Sequence, residues 1–205
     1  IRFLSAFGSY WILLGKVFSR PEKPGIYYKQ TVREIMSLGV RSIGITTIIS
    51  FFMGAVITLQ TAYNTENPIY PTYLIGLGCR DSIILEFSST IVALILAGKV
   101  GSNIASEIGT MRVTEQIDAM DVSGTNPIKY LVVTRVLATT FTIPLLVFYA
   151  DFVSFLGSYV AVNLNDFVSL PLFLNQAFDP LHYYDLVPAT IKTFFFGFAI
   201  GIIGC

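Results

Sequence analysis

Four apolar runs dominate the chain, Ile43 to Tyr63, Tyr73 to Ala97, Val136 to Val162 and Leu186 to Cys205, each close to the roughly 20 residues an α-helix needs to cross about 30 Å of hydrocarbon. They predict an all-α integral membrane protein with four transmembrane helices. Upstream, Phe3, Leu4, Phe7, Tyr10, Trp11, Leu14, Val17 and Phe18 recur at intervals of three and four, with Arg2, Ser5, Ser9 and Lys16 on the other side. That period predicts an N-terminal amphipathic helix lying flat at headgroup level, where Trp and basic side chains are well solvated. Pro21 and Pro24 end it, and Tyr28, Val32, Ile35 and Met36 begin a second periodic segment leading into the first span. Residues 1–42 are therefore read as interfacial and elbow helices and residues 43–205 as the transmembrane domain. The chain stops within an apolar run, so the domain is expected to continue past Cys205.

Composition agrees with lipid as the solvent: 54% of the 205 residues are hydrophobic, 13% are charged and the mean hydropathy is +0.69, values that disfavour a soluble globular domain. The net charge of zero decides nothing, but its placement does. Arg2, Lys16, Arg20, Lys23, Lys29, Arg33 and Arg41 precede the first span, and Lys99, Arg112, Lys129 and Arg135 lie between spans two and three. Residues 64–72 hold only Glu66, and residues 163–185 hold Asp166, Asp179, Asp185 and His182 without Lys or Arg. The positive-inside bias then puts the N-terminus and the region between spans two and three in the cytoplasm. Cys79 and Cys205 offer no disulfide framework, and His182 has no neighbour at ligand spacing, so no metal site is expected.

Within the apolar runs a few positions break the pattern. Arg80, Asp81 and Glu86 in span two and Asp151 in span three are ionisable groups that lipid tolerates poorly, so each should be paired or face a cavity. Arg80 and Asp81 suit a local charge balance; Glu86 and Asp151 are better candidates for a cavity. Pro144 favours a kink in span three, and Gly197 to Gly201 permits close helix approach, within the chain or between two copies.

The longest polar interruption, Ala97 to Met120, carries both charge signs and helix formers. Thr114 is placed to cap a short helix from Glu115 to about Val122, with Asp118 near its positive end, Gly124 to terminate it and Pro127 beyond. Ile117, Met120 and Val113 share one side. So short a helix is marginal alone and needs a surface to hold it. Acids outnumber bases over residues 114–121, which suits a protein partner better than an anionic leaflet.

The run from Leu94 to Ala138, LILAGKVGSNIASEIGTMRVTEQIDAMDVSGTNPIKYLVVTRVLA, resembles the signature region of the MlaE (YrbE) family, permease subunits of ABC transporters that move phospholipid with MCE-domain proteins. Weaker similarity covers the rest, including Gly54 to Gln60. The resemblance implies a coupling helix for a cytoplasmic ATPase within residues 107–125, with Glu107, Thr110, Met111, Arg112, Thr114, Glu115, Gln116 and Asp118 at the contact. It further implies a homodimer, two ATPase copies holding ATP and magnesium, an MCE-domain ring, often a STAS-domain protein, a fifth span, and a bacterial inner-membrane role in outer-membrane lipid asymmetry. Leu59, Gln60, Tyr63, Glu86 and Asp151 are the candidates for the lipid cavity. Where family members often read Arg-Glu-Leu-Gly-Pro, this chain has Leu85-Glu86-Phe87-Ser88-Ser89, keeping the acid but lacking the basic partner and the kink. The chain itself is expected to be non-enzymatic and without cofactor, since Gly98-Lys99-Val100-Gly101 lacks the spacing of a phosphate-cradling loop. The competing reading is an ion- or proton-coupled secondary transporter with Arg80, Asp81, Glu86 and Asp151 as the relay.

Overall fold

Backbone groups in hydrocarbon have no water to bond, so apolar runs of this length resolve into helices. In the computed structural model, which describes residues 24–65, 71, 74–124, 126, 127, 129–165, 168–177 and 183–205 with Gly8 and Gly15, every regular element is helical. Helix α1 is Pro24–Asn64. The second span is composite: α2, Leu74–Asp81, a π-helical segment Ser82–Val92, and α3, Ala93–Val113. The short α4, Gln116–Val122, follows. A π-helical turn Lys129–Val133 leads into α5, Thr134–Asn165, then α6, Leu170–Ala177, and α7, Tyr183–Gly204. Four helical stretches are long and apolar enough to span a membrane: Tyr27–Asn64, Leu74–Val113, Tyr130–Asn165 and Leu186–Gly204. Apart from Gly8 and Gly15, the amphipathic segment expected over residues 3–18 lies outside the described residues, as does His182.

At 1.5 Å per residue, α1 and the Leu74–Val113 stretch are each about 60 Å long, twice the hydrocarbon thickness. Each therefore continues past the membrane as a stalk. The segment begun by Tyr28, Val32, Ile35 and Met36 is the first part of the same unbroken helix as span one. The polar interruption that begins at Ala97 is likewise helix, continuous to Val113.

Helix α1 packs most extensively on α5, and α5 on α7. Small residues permit this approach: a Cβ on Gly54 would lie 1.9 Å from the Ser154 carbonyl oxygen, and one on Gly157 would lie 2.0 Å from the Phe51 carbonyl oxygen. Hydroxyls bridge the same seam, Ser154 donating to the Ser50 carbonyl at 3.0 Å and Ser158 to that of Gly54 at 3.1 Å. Such bonds satisfy polar groups that lipid would leave unpaired. Cys79 closes the seam from α2, 3.1 Å from the Thr58 hydroxyl, in keeping with a packing role.

Gly197 and Gly201 belong to intramolecular packing, since added Cβ atoms would meet Thr139 O at 2.9 Å and Thr139 Oγ1 at 2.3 Å on α5. Toward the stalk end, Leu38, Leu96, Val100, Ile104, Ala138 and Ile143 form one buried cluster, with Ile35, Ile108 and Ile200 packed against it. Toward the opposite end, α6 packs on α2 through the buried Phe173 and Ala177.

Candidate functional site

The stalk of span two ends in a tight corner. Thr110 Oγ1 donates to the Ser106 carbonyl at 2.8 Å and Thr114 Oγ1 to the Thr110 carbonyl at 2.8 Å, so both hydroxyls back-bond onto the helix they terminate. Thr114 is thus the C-cap of α3, not the N-cap of the next helix. Its hydroxyl is taken by a carbonyl four residues earlier, a common alternative for Thr inside a helical turn. The N-cap is Glu115, in the left-handed region at φ 56°, the one positive-φ non-glycine among the described residues. Holding a non-glycine residue there costs of order 1 kcal/mol or more, and such strain concentrates at functional positions.

From this corner α4 starts at Gln116 rather than Glu115 and runs seven residues. Asp118 sits in its first turn, where the helix dipole favours an acid. Gly124 at φ 77° ends it as expected. None of its residues is buried. Ile117 and Met120 are half-buried, whereas Val113 and Val122 are 85% and 91% exposed. Thr110, Arg112, Thr114, Glu115, Gln116 and Asp118 are all exposed and Met111 is half-buried. The result is a protruding foot with apolar knobs and polar groups of both signs, held to the bundle mainly through α3.

Glu107 is set apart from that surface. Its Oε2 forms an ion pair with Arg135 Nη2 of α5 at 3.1 Å, tying the stalk to the base of span three. Arg135 is buried, and its Nε and Nη1 find no hydrogen-bond partner.

The cavity candidates do not converge on one enclosed site. Leu59 is half-buried on α1, while Gln60 and Tyr63 lie on its exposed face. Glu86 is exposed on the π-helical segment, so within one chain it lines no enclosed cavity. Asp151 is largely buried, with Ser88 as its hydrogen-bonding neighbour and Oδ1 without a partner. It borders a cavity of about 10 Å³ with Ile84, Pro144, Val147 and Thr193, room for hardly one water. Arg80 Nε donates to Asp81 Oδ1 at 3.0 Å, the local balance expected of that pair.

Two features escape sequence reasoning. The π-helical winding covers Leu85 to Ser89, the stretch where the family's Gly-Pro kink is missing, and π-helical turns recur at functional sites. Within it the Leu85 carbonyl accepts from Ser89 Oγ at 3.3 Å and from Lys192 Nζ of α7 at 2.9 Å. Lys192 was legible as the sole Lys or Arg in the fourth apolar run; its partner, a backbone carbonyl on another span, was not.

Helices long and apolar enough to traverse a membrane, with an exposed helical foot beyond them, define a multi-pass membrane protein. The profile of the family described as Permease MlaE matches residues 31–205, and the chain belongs to that family. Among its relatives, "Probable ABC transporter permease protein RP096" of Rickettsia prowazekii is 36% identical over 211 residues, covering all of this chain and 79% of the relative. A Synechocystis relative, "Probable ABC transporter permease protein slr1045", is 36% identical over 95% of this chain and 74% of its own length. The Arabidopsis thaliana chloroplast protein TRIGALACTOSYLDIACYLGLYCEROL 1 is 31% identical over 95% of this chain and 55% of its own length. The chain is accordingly an ABC transporter permease, the membrane subunit that works with a separate ATPase.

Proposed function

We propose that this permease moves phospholipid between the bacterial inner membrane and an MCE-domain partner, sustaining outer-membrane lipid asymmetry. It acts as a homodimer, with two ATPase subunits docked on its α4 feet and, in some systems, a STAS-domain protein on the ATPase. ATP and magnesium bind on the ATPase. The foot carries the reading: α4 has no buried residue, is marginal by length, and stands on a corner strained at Glu115. A groove on the ATPase would hold it and repay that strain. Nucleotide-driven movement of the groove would shift α3, and with it span two, between two arrangements of different lipid affinity. The name of the Arabidopsis relative, that of a glycerolipid, supports a lipid substrate. The basic residues Lys29, Arg33, Arg41, Lys99 and Arg112 on the stalk side support a cytoplasmic foot.

The deciding experiment is Glu115→Ala with Gln116→Ala in the reconstituted complex, reading ATP hydrolysis and lipid transfer between vesicles. Hydrolysis should persist while transfer falls at least tenfold. Unchanged transfer by a correctly assembled complex would refute the docking role.

A further inference from the structure

The apolar run of span one begins at Ile43 and that of span two ends at Ala97, so Arg41 and Lys99 mark the same border on two antiparallel helices. They also line one pocket. It has a volume of about 350 Å³ and is bordered by Arg41, Ser42, Lys99, Ser102, Asn103 and Ser106, with Leu38 and Val100 as the apolar part of its wall. No carboxylate is among the described lining residues; the two cations face neutral polar side chains, of which the Ser102 hydroxyl already donates to the Lys99 carbonyl.

Lys99 Nζ donates to the backbone carbonyl of Arg41, which pins the ammonium at the border and uses only one of its three protons. The Arg41 side chain is exposed and has the planar fork that suits a phosphate. One turn toward the membrane on the same helix faces, Ile45 on α1 is an exposed apolar side chain and Ile95 on α3 a half-buried one. A free anion would have no use for that flank, whereas an acyl chain would lie along it.

The geometry points to a binding site for the phosphate of an anionic glycerophospholipid, held in the leaflet on the stalk side between α1 and α3. Basic pockets between membrane helices at this depth take lipid headgroups, and the volume falls within the range of small-ligand pockets. The lipid is a resident one that ties the stalk of span two to span one. The site shares no residue with the foot or with the cavity candidates, and it stands whatever cargo the transporter carries.

The test uses the assembled complex in nanodiscs of phosphatidylcholine containing a minority of phosphatidylglycerol, released into detergent and weighed by native mass spectrometry. The unaltered complex should retain phosphatidylglycerol in preference to phosphatidylcholine. Arg41→Gln, which keeps the carbonyl that Lys99 binds, should lower that retention about fivefold, and Arg41→Gln with Lys99→Gln about thirtyfold, from roughly fivefold per basic residue near an anionic surface. Ser102→Asp, which places a carboxylate in the pocket beside the Lys99 ammonium, should lower it as well. Lys99→Arg should preserve it. Equal retention in the unaltered protein, Arg41→Gln and Ser102→Asp overturns the site. Displacement of phosphatidylglycerol by inorganic phosphate overturns its assignment to lipid. Loss of ATPase-subunit binding with lipid retention unchanged would give the pocket to a protein and overturns it too.

Discussion

Arg135 Nη2 on α5 lies 3.1 Å from Glu107 Oε2 on α3, so the stalk that carries the foot is braced against the base of span three by one ion pair. The Arg135 side chain is 2% exposed and that of Glu107 43%. The buried partner depends on the pair more than the exposed one does, because only the arginine has left water. Glu107→Gln should destabilise the protein by about 2 kcal/mol, less than the 3–5 typical of a wholly buried pair because the carboxylate is half in solvent. Glu107→Gln combined with Arg135→Met should cost less than Glu107→Gln alone. Thermal unfolding in detergent, run as a double-mutant cycle, reads both; additive effects would mean that the two groups do not interact.

Glu115 stands in a backbone conformation that glycine adopts without strain. Glu115→Gly should leave thermal stability unchanged or raise it by up to about 1 kcal/mol, and Glu115→Val should lower it by about 1–2 kcal/mol, since a β-branched residue is poorest at positive φ. If the carboxylate also contacts the ATPase, Glu115→Gly will weaken subunit binding while the permease melts no earlier. Parallel melting curves and ATPase pull-downs separate backbone geometry from charge.

The α1–α5 seam has no space for a methyl group at Gly54, where the obstruction is the Ser154 carbonyl and not a flexible side chain. Gly54→Ala should cost about 3 kcal/mol, the upper end of overpacking penalties, because two helices must separate. Yield of monodisperse protein after size exclusion would show it. Gly44, with open space around it, is the control: Gly44→Ala should be tolerated.

Asp151 is largely buried and has an oxygen without a partner, the one observation that favours an ion-coupled carrier. Asp151→Asn keeps the shape and removes the charge. For an ATP-driven permease, transfer should stay within about twofold of the unaltered rate, since that mechanism passes no proton or ion through Asp151 and asparagine keeps the side chain's shape. An ion relay would lose transport altogether, and vesicle transfer with and without a proton gradient tells the two apart.

Much of the architecture could be read before any coordinate was known. A span is a condition on length and hydropathy, so Ile43 to Tyr63 and the three later runs identified their helices directly. Gly124 ended the foot where expected. Thr114 misled because a hydroxyl can cap the helix after it or bond back to the helix before it. That choice turned on the backbone of Glu115, which no local pattern encodes. Gly197 and Gly201 could equally have served a dimer, and only the position of Thr139 on α5 placed them inside one chain.

The sequence by itself determined the number of spans, the helical class and the location of the foot, because hydrocarbon forces each apolar run to bond its own backbone internally. Tertiary structure decided the partners. That Glu107 meets Arg135, that Lys192 reaches the carbonyl of Leu85, and that Lys99 bonds the backbone of Arg41 all depend on the rotation and register of one helix against another. Those are set by close packing of side chains across the bundle, a relation between distant residues that hydropathy along one chain does not contain.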